Sequence, residues 1–266
     1  MGARERRLRP NEPRPSGQHL LRSNQLAREI VAQAGIGPND LVVDIGAGTG
    51  RLTEALASSA ARVVAIELDP GFVATVRRRF HARPQVAIIE GDVLRVPLPG
   101  GPFRAFGNIP FGLTTRILRR LLDDPTSALV RADLIVQYDV ARRRSSVWPS
   151  DLVSLGWLPW WEFRLARRLP AGAVEPAPAV DAGLLSITKR TLPLIPPELR
   201  PDYVALVRAA FRRADLPVHR SLRGRVPERA WKRTVRERGL TPRAKVRDLD
   251  VFDWTALFLL PREVGS

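Results

Sequence analysis

A glycine-rich turn and two acidic residues are the first positions whose types and spacing suggest chemistry. The apolar run 41–45 leads into a turn with three glycines, Gly46, Gly48 and Gly50. Such a turn lets a ligand approach backbone N–H groups closely. Glu67 ends the next apolar run, where a carboxylate can accept hydrogen bonds from both ribose hydroxyls, and Asp92 follows a third run, where it can accept one from an adenine amino group. The pattern predicts a site for a nucleoside-like ligand.

The glycine spacing differs from the dinucleotide fingerprint G-x-G-x-x-G. The sixth position of that fingerprint is here Arg51, and the third glycine comes one residue early. This departure disfavours NAD as the ligand. A nicotinamide-dependent oxidoreductase stays as an alternative that a cofactor-binding titration would test.

These positions must be held by a chain that alternates apolar runs with segments of helical periodicity from Leu41 onward. The alternation is typical of βαβ units and a parallel sheet. The predicted strands are 41–45, 63–67, 86–90, 104–108, 133–137, 160–166 and 184–188. The glycine turn, Glu67 and Asp92 then follow successive strands at the edge where open α/β sheets bind ligands.

A second, helical unit is predicted after Arg190, where four prolines punctuate a linker. Asp250 is predicted to cap the last helix, and Trp231 and Trp254 are predicted to be core residues. We expect three parts: a flexible basic arm over 1–16, an α/β domain over 17–190 and a helical domain over 191–266.

The charge of the chain favours a polyanionic partner. Forty-three basic residues face 27 acidic ones in 266 residues, a formal net charge of +16. The absence of cysteine excludes disulfides, thiolate nucleophiles and Cys-ligated metals. No apolar stretch approaches the roughly 20 residues of a membrane span. We therefore expect a cytoplasmic protein with no membrane or metal partner.

The tetrapeptide Asn108-Ile109-Pro110-Phe111 follows the fourth predicted strand and resembles the motif of the ribosomal RNA adenine N6-methyltransferases. The resemblance begins at 17–21, which looks like the family's cofactor lid, although the family often has Asn where this chain has His19. Segment 137–141 also resembles the family's segment after strand five, and segment 176–181 resembles its proline loop near the catalytic cleft.

The resemblance implies a Rossmann-like methyltransferase sheet that binds S-adenosylmethionine, followed by a small all-helical RNA-binding domain. The implied cofactor contacts are His19, Leu21, Gly46, Gly48, Glu67, Asp92 and Asn108.

The resemblance also assigns roles around the target adenine. An amino group conjugated to an adenine ring is a poor nucleophile and must be aimed at the methyl group. The Asn108 side-chain carbonyl and the Ile109 backbone carbonyl are expected to hold the two N6 hydrogens. Pro110 would stiffen the turn, and Phe111 would stack on the flipped base. Positioning is expected to supply most of the rate. Because the sulfonium already carries an excellent leaving group, no general base or metal is expected.

Two branches of the family compete. The Erm enzymes modify one adenine of 23S RNA, and the KsgA type dimethylates two adenines of small-subunit 16S RNA. Phe111, the pair Thr114-Thr115 and segment 160–164 favour Erm, because the small-subunit branch usually has Leu-Pro-Tyr after the Asn. The Erm resemblance implies resistance to macrolide, lincosamide and streptogramin B antibiotics.

The expected partner is 23S ribosomal RNA before ribosome assembly is complete, bound by a monomer. Candidate phosphate contacts lie on the polar face of a predicted helix over 112–122 and after the fifth strand: Arg116, Arg119, Arg142, Arg143 and Arg144. An alternative of another class is a non-catalytic RNA-binding module on the same fold.

Overall fold

The computed structural model describes residues 20–146, 151–177 and 179–263. In chain order the strands are β1 (Leu20–Leu21), β2 (Leu41–Ile45), β3 (Arg62–Glu67), β4 (Val86–Glu90), β5 (Phe103–Asn108), β6 (Leu129–Gln137), β7 (Trp161–Leu169), β8 (Val174–Glu175) and β9 (Ala182–Lys189). The helices are α1 (Asn24–Ala34), α2 (Arg51–Ala57), α3 (Pro70–Phe80), α4 (Thr114–Leu122), α5 (Tyr138–Arg144), α6 (Leu152–Leu155), α7 (Arg200–Phe211), α8 (Val218–Ser221), α9 (Glu228–Arg238) and α10 (Val251–Glu263). Short 3-10 turns cover Phe111–Leu113, Ala171–Ala173, Pro197–Leu199 and Val246–Asp248.

Seven strands form one sheet in the order β4-β3-β2-β5-β6-β9-β7. Strands β4, β3, β2, β5 and β6 are parallel, whereas β9 is antiparallel to both β6 and β7. The chain leaves β2 for β3 and β4 on one side and then crosses to β5 on the other. The carboxyl ends of β2 and β5 therefore form a topological switch point, where sheets of this class bind ligands.

The sheet separates two apolar layers because successive side chains of a strand point to opposite faces. Val42 packs with helices α1, α2 and α3, whereas its neighbour Val43 packs with α4 and the C-terminal helices. On α4, Ile117 and Leu121 are buried, while Arg116 and the following arginines are exposed. The predicted α/β class is confirmed, and all seven predicted strands are present.

The strand boundaries differ from prediction where charged residues occupy strand positions. Strand β6 begins at Leu129, whereas the predicted strand began at 133 because Arg131 interrupts the apolar run. In the structure the strand includes Arg131, whose guanidinium lies 2.8 Å from the carboxylate of Asp133 on the same strand. Strand β7 continues to Leu169 instead of ending at 166. As the edge strand of the sheet, β7 tolerates exposed polar side chains on its outer positions.

A buried ionic group ties the sheet to helix α1 at the end remote from the glycine turn. Arg104, which is 8% exposed, donates to the backbone oxygens of Ala34 and Gly35 at 2.5 and 2.8 Å. Its guanidinium also lies 3.0 Å from the carboxylate of Asp40 and 3.6 Å from that of Asp133. The guanidinium thus serves as hydrogen-bond donor or ion-pair partner for these backbone oxygens and carboxylates, which are wholly or partly buried.

The C-terminal helices share an apolar core with the sheet through three buried tryptophans that lie within five residues of sequence. Trp157, Trp160 and Trp161 donate their indole N–H groups to Asp123, Ile195 and Leu122 respectively, at 2.8, 2.7 and 3.2 Å. Trp160 also meets the ring of Tyr203 on α7 edge to face, with centroids 5.8 Å apart. Satisfied indoles are favourable core residues, so this cluster joins the helices firmly to the sheet.

The last helix begins as predicted. Asp250 accepts from the backbone N–H of Asp253 at 2.8 Å, and the Asp253 side chain accepts from the N–H of Asp250 at 2.9 Å. This reciprocal pair is a capping arrangement. Trp231 and Trp254 are buried, which confirms their prediction as core residues.

A two-stranded ribbon, β1 paired antiparallel with β8, was not predicted. Leu20 pairs with Glu175 and Leu21 with Val174, and the N–H of Arg22 donates to the oxygen of Ala173 at 3.0 Å. Two-residue strands carry no readable periodicity. Pairing over about 150 residues of sequence is decided by tertiary structure.

Within the described ranges, no helix has the length and apolar character needed to cross a membrane. The same residues contain no cluster of three or more His, Cys, Asp or Glu side chains arranged to hold a metal ion.

Candidate active site

The glycine turn lies between β2 and α2 at the switch point. Gly46, Gly48 and Gly50 have φ angles of 75°, 53° and 80°, a left-handed region that side chains other than glycine rarely adopt. At Gly48 an added Cβ would also lie 2.7 Å from the side chain of Leu20 in the β1–β8 ribbon. The turn therefore depends on glycine for both its conformation and the close approach of the ribbon.

Glu67 ends β3 and is 2% exposed. One carboxylate oxygen, Oε2, accepts from the N–H of Gly48 at 2.7 Å, and Oε1 accepts from the N–H groups of Leu68 and Asp69 at 2.8 and 2.9 Å. A carboxylate offers about four lone-pair sites, so Oε2 keeps capacity for a further donor. The predicted ribose acceptor is thus fixed rigidly against the glycine turn.

Asp92 lies in the turn after β4. Its Oδ1 accepts from the N–H of Leu94 at 2.9 Å, and its other oxygen makes no hydrogen bond with the described residues. The side chain is half-buried. An acceptor held by its own turn and still available on one side fits the predicted contact with an adenine amino group.

Asp44 on β2 is a further acid near the site, and the sequence assigned it no specific contact with the ligand. It is fully buried, and its Oδ2 accepts from the hydroxyl of Thr53 at 2.6 Å while Oδ1 has no partner among the described residues. Burial raises the pKa of Asp44 to about 7, Thr53 opposes this shift, and the charge of Glu67 adds to it. A sequence signal existed, since an acid two residues before a glycine turn flanks the switch point.

The hydrogen-bond acceptors at this site fit S-adenosylmethionine. An orphaned buried acceptor on Asp44 and the acids Glu67 and Asp92 surround the glycine turn at the ends of three adjacent strands. These groups favour a ligand that carries positive charge and hydroxyl or amino donors. The sulfonium, ribose and adenine of that cofactor supply such groups.

The tetrapeptide 108–111 leaves β5 beside the glycine turn. Asn108 ends the strand, and buried Ile109 donates its N–H to the oxygen of Ile135 at 3.3 Å. Pro110 opens the 3-10 turn, where its oxygen accepts from the N–H of Leu113 at 2.9 Å. Phe111 is half-buried, and its backbone oxygen accepts from the Thr114 hydroxyl at 3.0 Å.

A small cavity of about 20 Å³ joins the tetrapeptide to the turn. It is lined by Leu20, Leu21, Gly46, Ala47, Thr49, Arg51, Leu52 and Asn108. The structure therefore brings together four predicted features: the lid residue Leu21, the glycine turn, the strand end at Asn108 and, through its bond to Gly48, Glu67.

Gly107 was not singled out from sequence, yet it lies directly before Asn108. A Cβ at this position would lie 2.6 Å from the backbone oxygen of Ile45. No real Cβ contact is that short, so only glycine lets β2 and β5 approach at the switch point. A glycine within a predicted strand is a signal of such close approach.

The two segments 137–141 and 176–181 meet near this edge of the sheet. The N–H of Tyr138 donates to the oxygen of Asp181 at 2.9 Å, and the Asp181 carboxylate pairs with Arg168 at 2.7 Å. The Arg168 guanidinium lies 4.8 Å from the centre of the Tyr138 ring. Pro178, inside the second segment, lies outside the described residues, as do His19 and the arm 1–16.

The candidate RNA-binding arginines separate into two groups. Arg116 and Arg119 on α4, with Arg142 and Arg143 on α5, are exposed. Arg116 and Arg119 make no ion pair with the described residues, and Arg142 lies 3.5 Å from the exposed carboxylate of Asp139.

Arg144 does not fit the predicted role. It is 7% exposed and donates to the Asp151 carboxylate and the Ser154 hydroxyl, both at 2.6 Å, while its guanidinium lies 5.5 Å from the ring of Trp157. Residues three apart lie on the same face of a helix, so Arg144 shares the buried face of α5 with Ala141, whereas Arg142 and Arg143 face outward. We withdraw Arg144 from the candidate RNA contacts.

Comparison with known proteins supports the same family. The family model for ribosomal RNA adenine dimethylases matches residues 11–261. The mycinamicin-resistance protein MyrB of Micromonospora griseorubida is 34% identical over 262 residues, which cover 96% of this chain and 82% of MyrB. The ribosomal RNA small subunit methyltransferase A of Synechococcus sp. (strain JA-3-3Ab) is 32% identical over 254 residues, 91% of this chain and 90% of that protein.

Among solved structures, that of the 23S rRNA methyltransferase ErmE superimposes with a TM-score of 0.80. It covers 90% of this chain and 98% of the ErmE chain at 24% identity, which shows a shared fold. Because the family match spans nearly the whole sequence and the strand ends carry the expected acceptors, this chain belongs to the ribosomal RNA adenine dimethylase family of methyltransferases.

Proposed function

We propose that the protein transfers a methyl group from S-adenosylmethionine to N6 of one adenine in 23S ribosomal RNA, once or twice. The observation that carries this proposal is the position of Asn108, at the end of β5 and on the same small cavity as Gly46 of the glycine turn. A base held by the tetrapeptide would lie next to a cofactor held by the turn, which is the geometry that methyl transfer needs.

The tetrapeptide would position the base by hydrogen bonds and stacking. The Asn108 side-chain oxygen and the Ile109 backbone oxygen would each accept one N6 hydrogen, and the Phe111 ring would stack on the adenine. Pro110 holds the turn between them, with φ of −57°. Two acceptors draw the amino group out of conjugation and leave its lone pair aimed at the methyl group.

The cofactor, when bound, supplies a methyl group on a sulfonium, which is already an excellent leaving group. Glu67 would accept from the ribose hydroxyls and Asp92 from the adenine amino group. Gly46 and Gly48 would let the cofactor approach the backbone, and Leu21, His19 and Asn108 would line the remainder of its site. None of these roles requires a side chain to remove a proton before transfer.

The large-subunit substrate is favoured by the tetrapeptide and by similarity to a resistance protein. Asn-Ile-Pro-Phe and Thr114-Thr115 match the Erm pattern, and MyrB, a mycinamicin-resistance protein, covers 96% of this chain. We therefore propose that methylation confers resistance to macrolide-type antibiotics. The second candidate is the KsgA-type reaction on 16S RNA, which the similarity to the Synechococcus small subunit methyltransferase favours.

RNA binding would use the basic surfaces of both parts of the chain, the cofactor-binding part over 17–190 and the helical part over 191–266. The helical part contains a cavity of about 610 Å³ with an apolar floor and an arginine rim: Arg220, Arg223 and Arg225. These three arginines are exposed and make no ion pair with the described residues. Unpaired arginines are available to RNA phosphates, so we propose that this part contacts RNA in the cytoplasm before the ribosome is complete.

The testing experiment measures transfer of labelled methyl from S-adenosylmethionine to protein-free 23S RNA, to 16S RNA and to small ribosomal subunits, with mapping of the modified base. Label confined to one 23S adenine is the expected result. Label only on small-subunit RNA would move the protein to the KsgA-type reaction, and no label on any RNA would refute the proposed activity.

A further inference from the structure

Arg51 is the residue by which the glycine turn departs from the dinucleotide fingerprint, and the roles proposed above do not use it. It is the first residue of α2, directly after Gly50, and lines the small cavity together with Asn108. Its side chain is partly buried. A cation in this position needs an explanation, because burying charge without a partner is costly.

The hydrogen bonds of Arg51 leave most of its donors available. One guanidinium nitrogen, Nη1, donates to the backbone oxygen of Leu21 in the β1–β8 ribbon. No carboxylate of the described residues pairs with it, although the nearby Arg79 and Arg83 both pair with Glu54 at 3.4 and 3.2 Å. A guanidinium has five N–H donors in a planar fork, so four remain for an anionic ligand.

The order of the strands indicates which end of the cofactor would meet Arg51. Glu67 ends β3 and Asp92 follows the end of β4, on one side of β2, and these two acids would hold the ribose and adenine. Asn108 ends β5 on the other side, and the reacting methyl must lie near it. The amino-acid end of the cofactor therefore extends from the sulfonium into the region that Arg51 and Asn108 share.

We propose that Arg51 binds the carboxylate of the amino-acid end of S-adenosylmethionine. This inference rests on the proposed use of that cofactor. The carboxylate supplies the anion that Arg51 lacks, and the planar fork suits a two-point contact. The bond to Leu21 then ties the β1–β8 ribbon to the bound cofactor through one guanidinium.

A purely structural role makes a different prediction. If Arg51 only fastened the ribbon to α2, its loss would weaken every ligand of the site equally. If it binds the carboxylate, its loss would weaken only ligands that carry one.

The test is calorimetric titration with S-adenosylhomocysteine and with its decarboxylated analogue, which keeps the adenosine, sulfur and amine. Arg51→Met removes the charge and keeps apolar bulk. We expect S-adenosylhomocysteine to bind about 10- to 100-fold more weakly to this variant, as for loss of a hydrogen bond to a charged group. Binding of the analogue should change less than about twofold, and Arg51→Lys should recover part of the loss.

The matched control is Arg28→Met, which removes one positive charge from an exposed position of α1 that makes no ion pair with the described residues. It should leave both affinities unchanged, and thermal unfolding should show that all variants fold. Equal weakening of both ligands by Arg51→Met, or weakening of neither, would overturn the inference. Failure of the unmodified protein to bind either ligand would instead refute the proposed cofactor.

Discussion

The side chain of Asn108 lies where strand β5 ends and the cavity beside the glycine turn begins. An amide oxygen accepts a hydrogen bond without titrating near neutral pH, so it can hold an amino group over a wide pH range. In the proposed function Ile109 would contribute through its backbone oxygen, which a side-chain substitution leaves in place. Asn108 is therefore the position at which the proposed chemistry is most directly tested.

Replacing Asn108 by Ala should lower kcat for methyl transfer by about 100-fold or more, the typical effect of losing one preorganised hydrogen-bonding group at a reacting centre. Affinity for RNA should stay within about twofold, because the basic surfaces are unchanged. Single-turnover transfer and RNA titration measure the two effects. Asn24→Ala, the same change on exposed α1, is the control, and unchanged turnover in Asn108→Ala would refute the assigned role.

Asp44 gives a pH-dependent prediction about stability. Its pKa is about 7 in the folded protein, whereas an aspartate in the unfolded chain has the ordinary value of 3.8. The raised pKa makes a contribution to stability that is fully present below pH 3.8 and is lost as pH rises to about 7. The loss is on the order of 4 kcal/mol, about 1.4 kcal/mol for each pH unit of that window.

Asp44→Asn should remove this dependence. Urea unfolding at several pH values should show the unfolding free energy of the unmodified protein falling relative to the variant between about pH 4 and pH 7, and then running parallel above that range. Other titrating groups are common to both proteins and cancel in the difference. Parallel curves over the whole range would show that Asp44 titrates normally.

At the scale of secondary-structure elements, the carboxyl ends of the parallel strands position the hydrogen-bond acceptors of the site. Ion pairs at the opposite end of the sheet help to hold the strands together. Arg104 on β5 joins the end of α1 to Asp40 and Asp133. This group lies at the end of the sheet away from the glycine turn, so it acts on the site only through the stability of the strands.

Arg104→Met should destabilise the fold by about 1 to 3 kcal/mol, because it leaves the backbone oxygens of Ala34 and Gly35 without their donor, while Asp133 keeps its ion pair with Arg131. The urea midpoint measures the effect, and cofactor affinity of the folded fraction should not change. Arg77→Met is the control, since Arg77 forms an exposed pair with Glu90 at 3.2 Å and should cost only about 0 to 1 kcal/mol. Equal effects of the two substitutions would contradict the role of the buried group.

The elements themselves were largely predictable. Strands 41–45 and 86–90 have the predicted limits because each is a mostly apolar run bounded by polar turns, although 86–90 lies at the edge of the sheet and is only partly buried. The β1–β8 ribbon was missed, since its two-residue strands are stabilised only by each other and by the turn beneath them. Gly107 was missed for a related reason: its neighbour, Ile45, is distant in sequence.

At the scale of the whole molecule, the net charge of +16 should make RNA affinity steeply dependent on salt. Replacing Arg220, Arg223 and Arg225 together by Gln should lower the slope of log affinity against log salt by about 2, since each phosphate contact contributes roughly 0.7 with single-stranded RNA. Fluorescence anisotropy over a salt series measures the slope.

The control replaces three arginines that pair with acids within the chain, Arg77, Arg79 and Arg83. Their removal changes the net charge equally but should reduce the slope much less. The same reduction in both triple variants would show that net charge alone, and not the rim of the cavity, governs binding. A flat affinity across the salt series would contradict the electrostatic argument altogether.

The sequence by itself determined the fold class and the family, and it predicted the cofactor turn and the role of tetrapeptide 108–111, because these depend on short local patterns whose residue types have few other uses. Tertiary structure alone decided which arginines face solvent, as Arg144 and Arg142 show on a single helix turn. It also decided that Arg51 meets Leu21 and lacks an acidic partner among the described residues. Burial and pairing are properties of neighbours from distant segments, and no local pattern records them.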